Sequence, residues 1–209
     1  MLEDIYITAS CIISNHVVYK NEKPVFKNKA ADLTAFLLSA YDQFEINYPK
    51  FYKMDNLSKL GWLATEVLLK DSFRTDRYQA GETGVVLANA SASLDTDIKY
   101  YETAKDIASP ALFVYTLPNI VIGEICIRHH FKGENAFFIT DQFDAGFIEQ
   151  YVSNLINNNI LQACICGWVE LLDDQYKTVL FLAEKERNGG TTTLFTRENI
   201  NKIYHADNG

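Results

Sequence analysis

The first apolar run, Ile5 to Ile13 (IYITASCII), is short and rich in β-branched side chains, so it predicts a buried strand. A polar stretch from Ser14 to Lys29, with Pro24 inside it, predicts a loop or hairpin excursion. Apolar residues then recur at helical spacing over Ala31–Phe44, and Tyr48-Pro49-Lys50 interrupts them. Met54–Asp71 reads as a longer helix whose first turn Asp55 or Asn56 can cap. Val85–Ala88 is a second buried strand, and the small polar turn Asn89–Ser93 follows it. Leu94–Ile107 reads as a partly exposed helix. The next stretch is helical and strongly apolar from Leu112 to Ile127, with a helix expected over Ile120–Phe131. Ala136–Ile139 is a strand, Phe143–Asn157 a helix, and Leu161–Leu171 and Thr178–Glu184 strands joined through Asp173-Asp174. The polar, Gly-rich tail begins at Asn188, and TTTLFT within it predicts one short edge strand. Alternating strands and helices predict an α/β fold, with a mainly parallel mixed sheet sandwiched by helices. The main domain is expected to span 1–187, with 188–209 as a polar C-terminal extension.

The 209 residues suffice for one well-buried core, and 48% hydrophobic with 22% charged residues is an ordinary globular balance. With 13 Phe and 12 Tyr, either the core is aromatic-rich or some aromatic surface awaits a partner. A net charge of -8 argues against unassisted binding to nucleic acid or anionic membrane. Cys11, Cys126 and the pair Cys164 and Cys166 are the four cysteines, mostly in apolar surroundings where a thiol behaves as a small hydrophobe. Cys164 and Cys166 share one strand face and cannot easily bridge. No His or Cys pair stands at zinc spacing, so no metal and no cofactor are expected. Glu82-Thr83-Gly84 lacks the length and ending of a phosphate-cradling loop. The start MLEDIYITASCII lacks a basic region and reads as a strand, not a signal peptide. No apolar run reaches about 18 residues, so no membrane span is predicted and a cytoplasmic protein is expected.

Residues 109–146 read SPALFVYTLPNIVIGEICIRHHFKGENAFFITDQFDAG. Upstream stand Phe51-Tyr52-Lys53-Met54-Asp55 and Gly84-Val85-Val86-Leu87-Ala88-Asn89; downstream stands Cys166-Gly167-Trp168-Val169-Glu170. In this order these segments resemble the amino-terminal half of β-ketoacyl synthases, members of the thiolase-like superfamily. The resemblance implies a thiolase-like half-fold; the chain ends at Gly209, about half the length expected of such an enzyme. Pro118-Asn119 with Gly123 matches a helix whose small residue permits close packing beneath the active site. Gly133-x-Asn135 matches the turn into the nucleophile strand. No cysteine occurs from Gly133 to Gly146. Counting from Gly133, Gln142 takes the place of the acyl-accepting thiol; a shift of one would bring Asp141 or Phe143 instead.

A thiolate is needed to attack a thioester at neutral pH, and an amide cannot replace it. Gln142 either lines a vestigial pocket or, as in Gln-bearing synthase-like decarboxylases, helps to hold a malonyl thioester. Decarboxylation in the family also needs two histidines that this chain does not supply. His129-His130 cannot stand in, because adjacent helical residues point about 100° apart. Their expected role is structural, as cations at a helix C-terminus. Cys126 is expected in the core. Asp141 and Asp144 are an acid pair or, more simply, caps of the following helix. Asn89, Ser91 and Ser93 form a polar turn at a strand end, where open α/β sheets place their sites. The substrate-binding residues expected are Asn89, Ser91 and Asn119.

The leading expectation is a non-catalytic, synthase-like subunit of fatty-acid-like, polyene or polyketide biosynthesis. It would form a homodimer, or a heterodimer with a full-length β-ketoacyl synthase, through the strand Ala136–Ile139. The helix Leu112–Ile127 would need cover from a partner. An acyl carrier protein is a further expected partner, although two acidic proteins attract only through a local basic patch. The rivals are a Gln-type malonyl-thioester decarboxylase or acyltransferase completed by a partner chain, and a scaffold or binding protein outside the pathway.

Overall fold

The structure, a computed structural model, describes residues 4–29, 32–185 and 193–208. The expected domain boundary at 187/188 and the Gly-rich start of the tail lie outside these residues. Two left-handed pairs shape the first hairpins. Asn15 and His16 both have positive φ and turn β1 (Tyr6–Ser14) into β2 (Val17–Lys20). Asn21 and Glu22 do the same between β2 and β3 (Lys23–Lys27). Two-residue turns of this hand match strand twist and permit only antiparallel pairing.

Helices α1 (Leu33–Gln43) and α2 (Asn56–Leu69) follow, capped by the carboxylates of Asp32 and Asp55. Asp55 accepts from Ser58 N at 3.0 Å, the cap expected from the sequence. Next come β4 (Thr83–Asn89), α3 (Leu94–Ala104), α4 (Pro110–Phe113), α5 (Ile120–His129), β5 (Asn135–Ile139) and α6 (Ala145–Asn157). The chain closes with β6 (Ala163–Leu172), β7 (Gln175–Glu184), β8 (Thr193–Leu194) and α7 (Arg197–Tyr204). The eight-stranded sheet runs β3-β2-β1-β7-β6-β4-β5, and β8 pairs with the start of β1.

The fold is α/β with a mixed sheet, but the balance of directions differs from the sequence expectation. Among the described residues, β4 pairs in parallel with β5 and β6, and the other five pairings are antiparallel. The reason is local: three hairpins with two-residue turns, the last through Asp173-Asp174, each impose an antiparallel neighbour.

Strand alternation splits the core into two layers. On β6, Ile165 and Val169 face the layer of α1, α2 and α5, whereas Cys164, Cys166 and Trp168 face α6 and α7. Trp62, Phe36, Leu63 and Ile125 fill the first layer; Ile148, Val152, Ile200 and Ile203 fill the second.

The expected apolar helix Leu112–Ile127 is broken into α4 and α5, because Pro118 has no N–H to continue the ladder. Helix α5 also stops two residues before Phe131, with His130 left-handed at its end. A side chain at Gly123 would meet nothing within 4 Å, so this glycine is not the close-packing position expected. Gly61 of α2 has that role: a Cβ there would collide with Val121 of α5.

Candidate functional site

Parallel strands β4 and β5 end side by side, with Asn89 opposite Ile139. Gly133 makes this possible. It lies so close to β4 that a Cβ would strike the Thr83 carbonyl, and its N–H donates to that carbonyl at 3.1 Å. At the far end Thr140 N donates to Asn89 O at 3.0 Å, and its hydroxyl donates to Gln142 O at 3.0 Å. Asp144 caps α6 by accepting from Gly146 N and Phe147 N at 2.9 and 3.0 Å, which leaves Gln142 exposed in the bend before the helix. Of the two acids expected there, Asp144 is the cap.

The Asn89–Ser93 turn is closed by the Asn89 amide, which donates to Ala92 O and accepts from Ala92 N at 2.9 and 3.0 Å. The buried Asn89 side chain is therefore spent on its own turn. Glu170, near the end of β6, accepts through Oε2 from Ala90 N at 2.6 Å and from Ser91 N at 3.3 Å. Its other oxygen is buried without a partner among the described residues. Ser93 donates to Thr116 O at 3.0 Å and ties this turn to the segment before α5. Asn119 sits at the head of α5 with its side chain exposed and capping nothing.

Gln142, Ala90 and Glu170 line an open pocket of about 440 Å³. Its other wall comes from the end of the chain. Tyr204 stacks on Phe143 with ring centroids 4.0 Å apart, and Phe143 meets Trp168 edge-on. Lys177 lies 4.4 Å from the Tyr204 ring centre and forms a 2.6 Å ion pair with Asp207, which also accepts from Ser14 at 2.6 Å. Burial works against the Asp207 carboxylate, but the bonds from Lys177 and Ser14 and the lysine charge hold its pKa below the ordinary value. Burial, then the charges of Asp207 and Glu170, push the Tyr204 hydroxyl up. None of Tyr204, Asp207 or Lys177 was expected at this site. The one legible signal was Glu170, a carboxylate standing alone in the apolar run ACICGWVELL.

No thiol reaches this pocket. Cys11, Cys164 and Cys166 are buried in the sheet, and burial drives the Cys11 and Cys166 thiols far up. Cys126 packs beside the first core layer, and burial pushes it up to about 11. Among the described residues, no group of three or more His, Cys, Asp or Glu side chains could hold a metal ion.

Several solved structures share this architecture. A chain of a type II polyketide ketosynthase complex with its acyl-carrier protein (AntDE:AntF) superposes with a TM-score of 0.60 at 17% identity, over 88% of this chain and 63% of that one. The ishigamide ketosynthase/chain length factor gives 0.60 at 16% identity, over 87% and 62%. A β-ketoacyl synthase from Burkholderia phymatum gives 0.60 at 13% identity, over 88% and 59%. The chain shares the thiolase-like fold of these structures. The chain spans about three-fifths of the length of these synthase structures. No family model matches it, and no curated protein sequence does. In the thiolase-like frame, Gln142 occupies the bend between a parallel strand and its following helix, beside the strand-end turn of Asn89. His129 and His130 stand elsewhere: His129 lies against Glu66 of α2, and His130 ends α5. No helix among the described residues is long and apolar enough to cross a membrane.

Proposed function

We propose that the chain is a non-catalytic, ketosynthase-like subunit that acts beside a complete synthase in polyketide or fatty-acid-like biosynthesis. One observation carries this reading: a thiolase-like fold in which the bend between β5 and α6 holds Gln142 and no cysteine. An amide neither attacks a thioester nor accepts an acyl group, so the pocket can hold or shape a chain but not carry it covalently. The similar structures support a heteromeric role, since they include a ketosynthase with its acyl-carrier protein and the ketosynthase ApeO with its chain length factor ApeC. Exposed apolar side chains support a partner as well. Phe113, Val114 and Leu117 stand at least half exposed around the break before α5, and Ile139 ends β5, which forms one edge of the sheet among the described residues.

Affinity purification from native cells, with identification of co-purifying chains, tests the proposal. A stoichiometric ketosynthase is the expected result. Release of carbon dioxide from a malonyl thioester by the purified chain with its partner, abolished in Gln142→Ala and absent from the synthase alone, would instead select the decarboxylase reading.

A further inference from the structure

A second cavity lies at the opposite end of β4, where the strand begins at Thr83, and the proposed function makes no use of it. It comprises two neighbouring pockets of about 500 and 320 Å³, with Phe73, Thr75 and His129 in the lining of both and Thr83 in that of the smaller. This is the size of a small-molecule site. Its apolar wall is Phe44, Ile46 and Phe73, and Phe73 in turn stacks on Tyr78 at 5.4 Å.

The polar wall is preorganised. Arg128 grips Glu66 with Nε on Oε1 at 3.1 Å and Nη2 on Oε2 at 3.3 Å, and lies over the rings of Tyr48 and Trp62 at 5.1 and 5.9 Å. His129 Nε2 is 2.9 Å from Glu66 Oε1, a close polar contact without hydrogen-bond alignment, and its ring stacks on Phe131. Both Glu66 oxygens are thus occupied. The helix ends at this cavity are spent too. Leu69 O accepts from Ser72 N and Phe73 N, Lys70 O accepts from the Lys20 ammonium, and Cys126 O accepts from Phe131 N. Glu45 is the other acid of the lining and is exposed to solvent, where water screens it. What remains for a ligand is a set of donors: the third guanidinium nitrogen of Arg128 and the ammonium of Lys70, neither hydrogen-bonded among the described residues, and the Thr75 hydroxyl.

We propose that this cavity binds a small aromatic carboxylate. The acid group would meet Arg128 and Lys70, and the ring would lie against Phe44, Ile46 and Phe73. A planar guanidinium pinned by a carboxylate and two aromatic faces presents its remaining edge without losing side-chain freedom on binding.

The test uses three probes with one body: 4-ethylbenzoate, 4-ethylbenzyl alcohol and 4-ethylbenzylamine, titrated calorimetrically into the full chain. Saturable one-to-one binding of the benzoate is expected, roughly tenfold or more tighter than the alcohol, with none for the amine. Lys70→Glu, on an exposed side chain, should weaken the benzoate roughly tenfold without unfolding the protein. Location is read in Trp168→Phe, which leaves Trp62 as the sole tryptophan; its fluorescence should respond to benzoate. The proposal is overturned if the benzoate does not saturate, if the amine or alcohol binds as tightly, if Lys70→Glu leaves affinity unchanged, or if Trp62 stays silent.

Discussion

At the scale of single residues, the decisive position is Gln142. Purified protein incubated with an acyl thioester should show no stable mass increase, because no thiol lines the pocket beneath that bend. Gln142→Cys should become alkylatable by iodoacetamide, since the side chain is exposed, yet should not condense acyl thioesters. Condensing activity in that variant would show that this chain holds the groups that drive decarboxylation. Glu66 is the second telling residue. Burial opposes its charge, but the contacts from His129 and Arg128 outweigh burial and place its pKa below the ordinary value of 4.5. A carboxylate depressed in the folded state stabilises fully above its unfolded pKa and loses that contribution as pH falls through the folded pKa. Glu66→Gln should therefore cost about 1–3 kcal/mol at pH 7, and its deficit relative to wild type should shrink as pH falls well below 4.5. Urea unfolding at neutral and acid pH measures both; a constant deficit would refute the assignment.

At the scale of elements, α7 closes the second core layer. Ile200 and Ile203 pack with Ile148 and Val152 of α6, while Tyr204 and Asp207 build one wall of the Gln142 pocket. The polar tail is thus only partly polar: Phe195 and Ile200 are fully or almost fully buried. Ile200→Ala should destabilise the protein by about 2–5 kcal/mol, the range for emptying a buried branched side chain. A change under about 0.5 kcal/mol in urea unfolding, typical of surface substitutions, would mean that α7 is not part of the cooperative fold.

At the scale of the whole molecule, one sheet edge differs from the other. The β3 edge carries Pro24 between Lys23 and Lys27, which discourages strand addition. The β5 edge carries neither lysine nor proline, and puts Phe137 into one core layer and Phe138 into the other. Pairing through β5 should bury a large interface, above about 2,000 Å² in an obligate assembly. Phe138→Asp would damage the α6 layer as well as any interface, because Phe138 packs on Phe147 and Tyr151. Ile139→Lys is the cleaner probe, since Ile139 is 51% exposed. Sedimentation should show a dimer, or a heteromer with the synthase partner, that Ile139→Lys dissociates into folded monomer. A well-folded wild-type monomer at micromolar concentration, indifferent to a synthase partner, would end the pairing proposal.

The sequence by itself determined what depends on neighbours a few residues apart. Apolar periodicity marked α1, α2 and α6 and the buried strands β1, β4 and β6, and Asp55 was legible as a cap because capping reaches only three residues ahead. The missing thiol needed no structure at all. Tertiary structure alone decided which strands pair and which side chains meet, because those contacts join residues far apart in the chain. It set the long-range pairing of β1 with β7 and gave the close-packing role to Gly61 instead of Gly123. It also brought Lys177 and Asp207 to Ser14, from the opposite end of the sequence. Periodicity shows which face of an element is apolar, but only the packed fold chooses what lies against it.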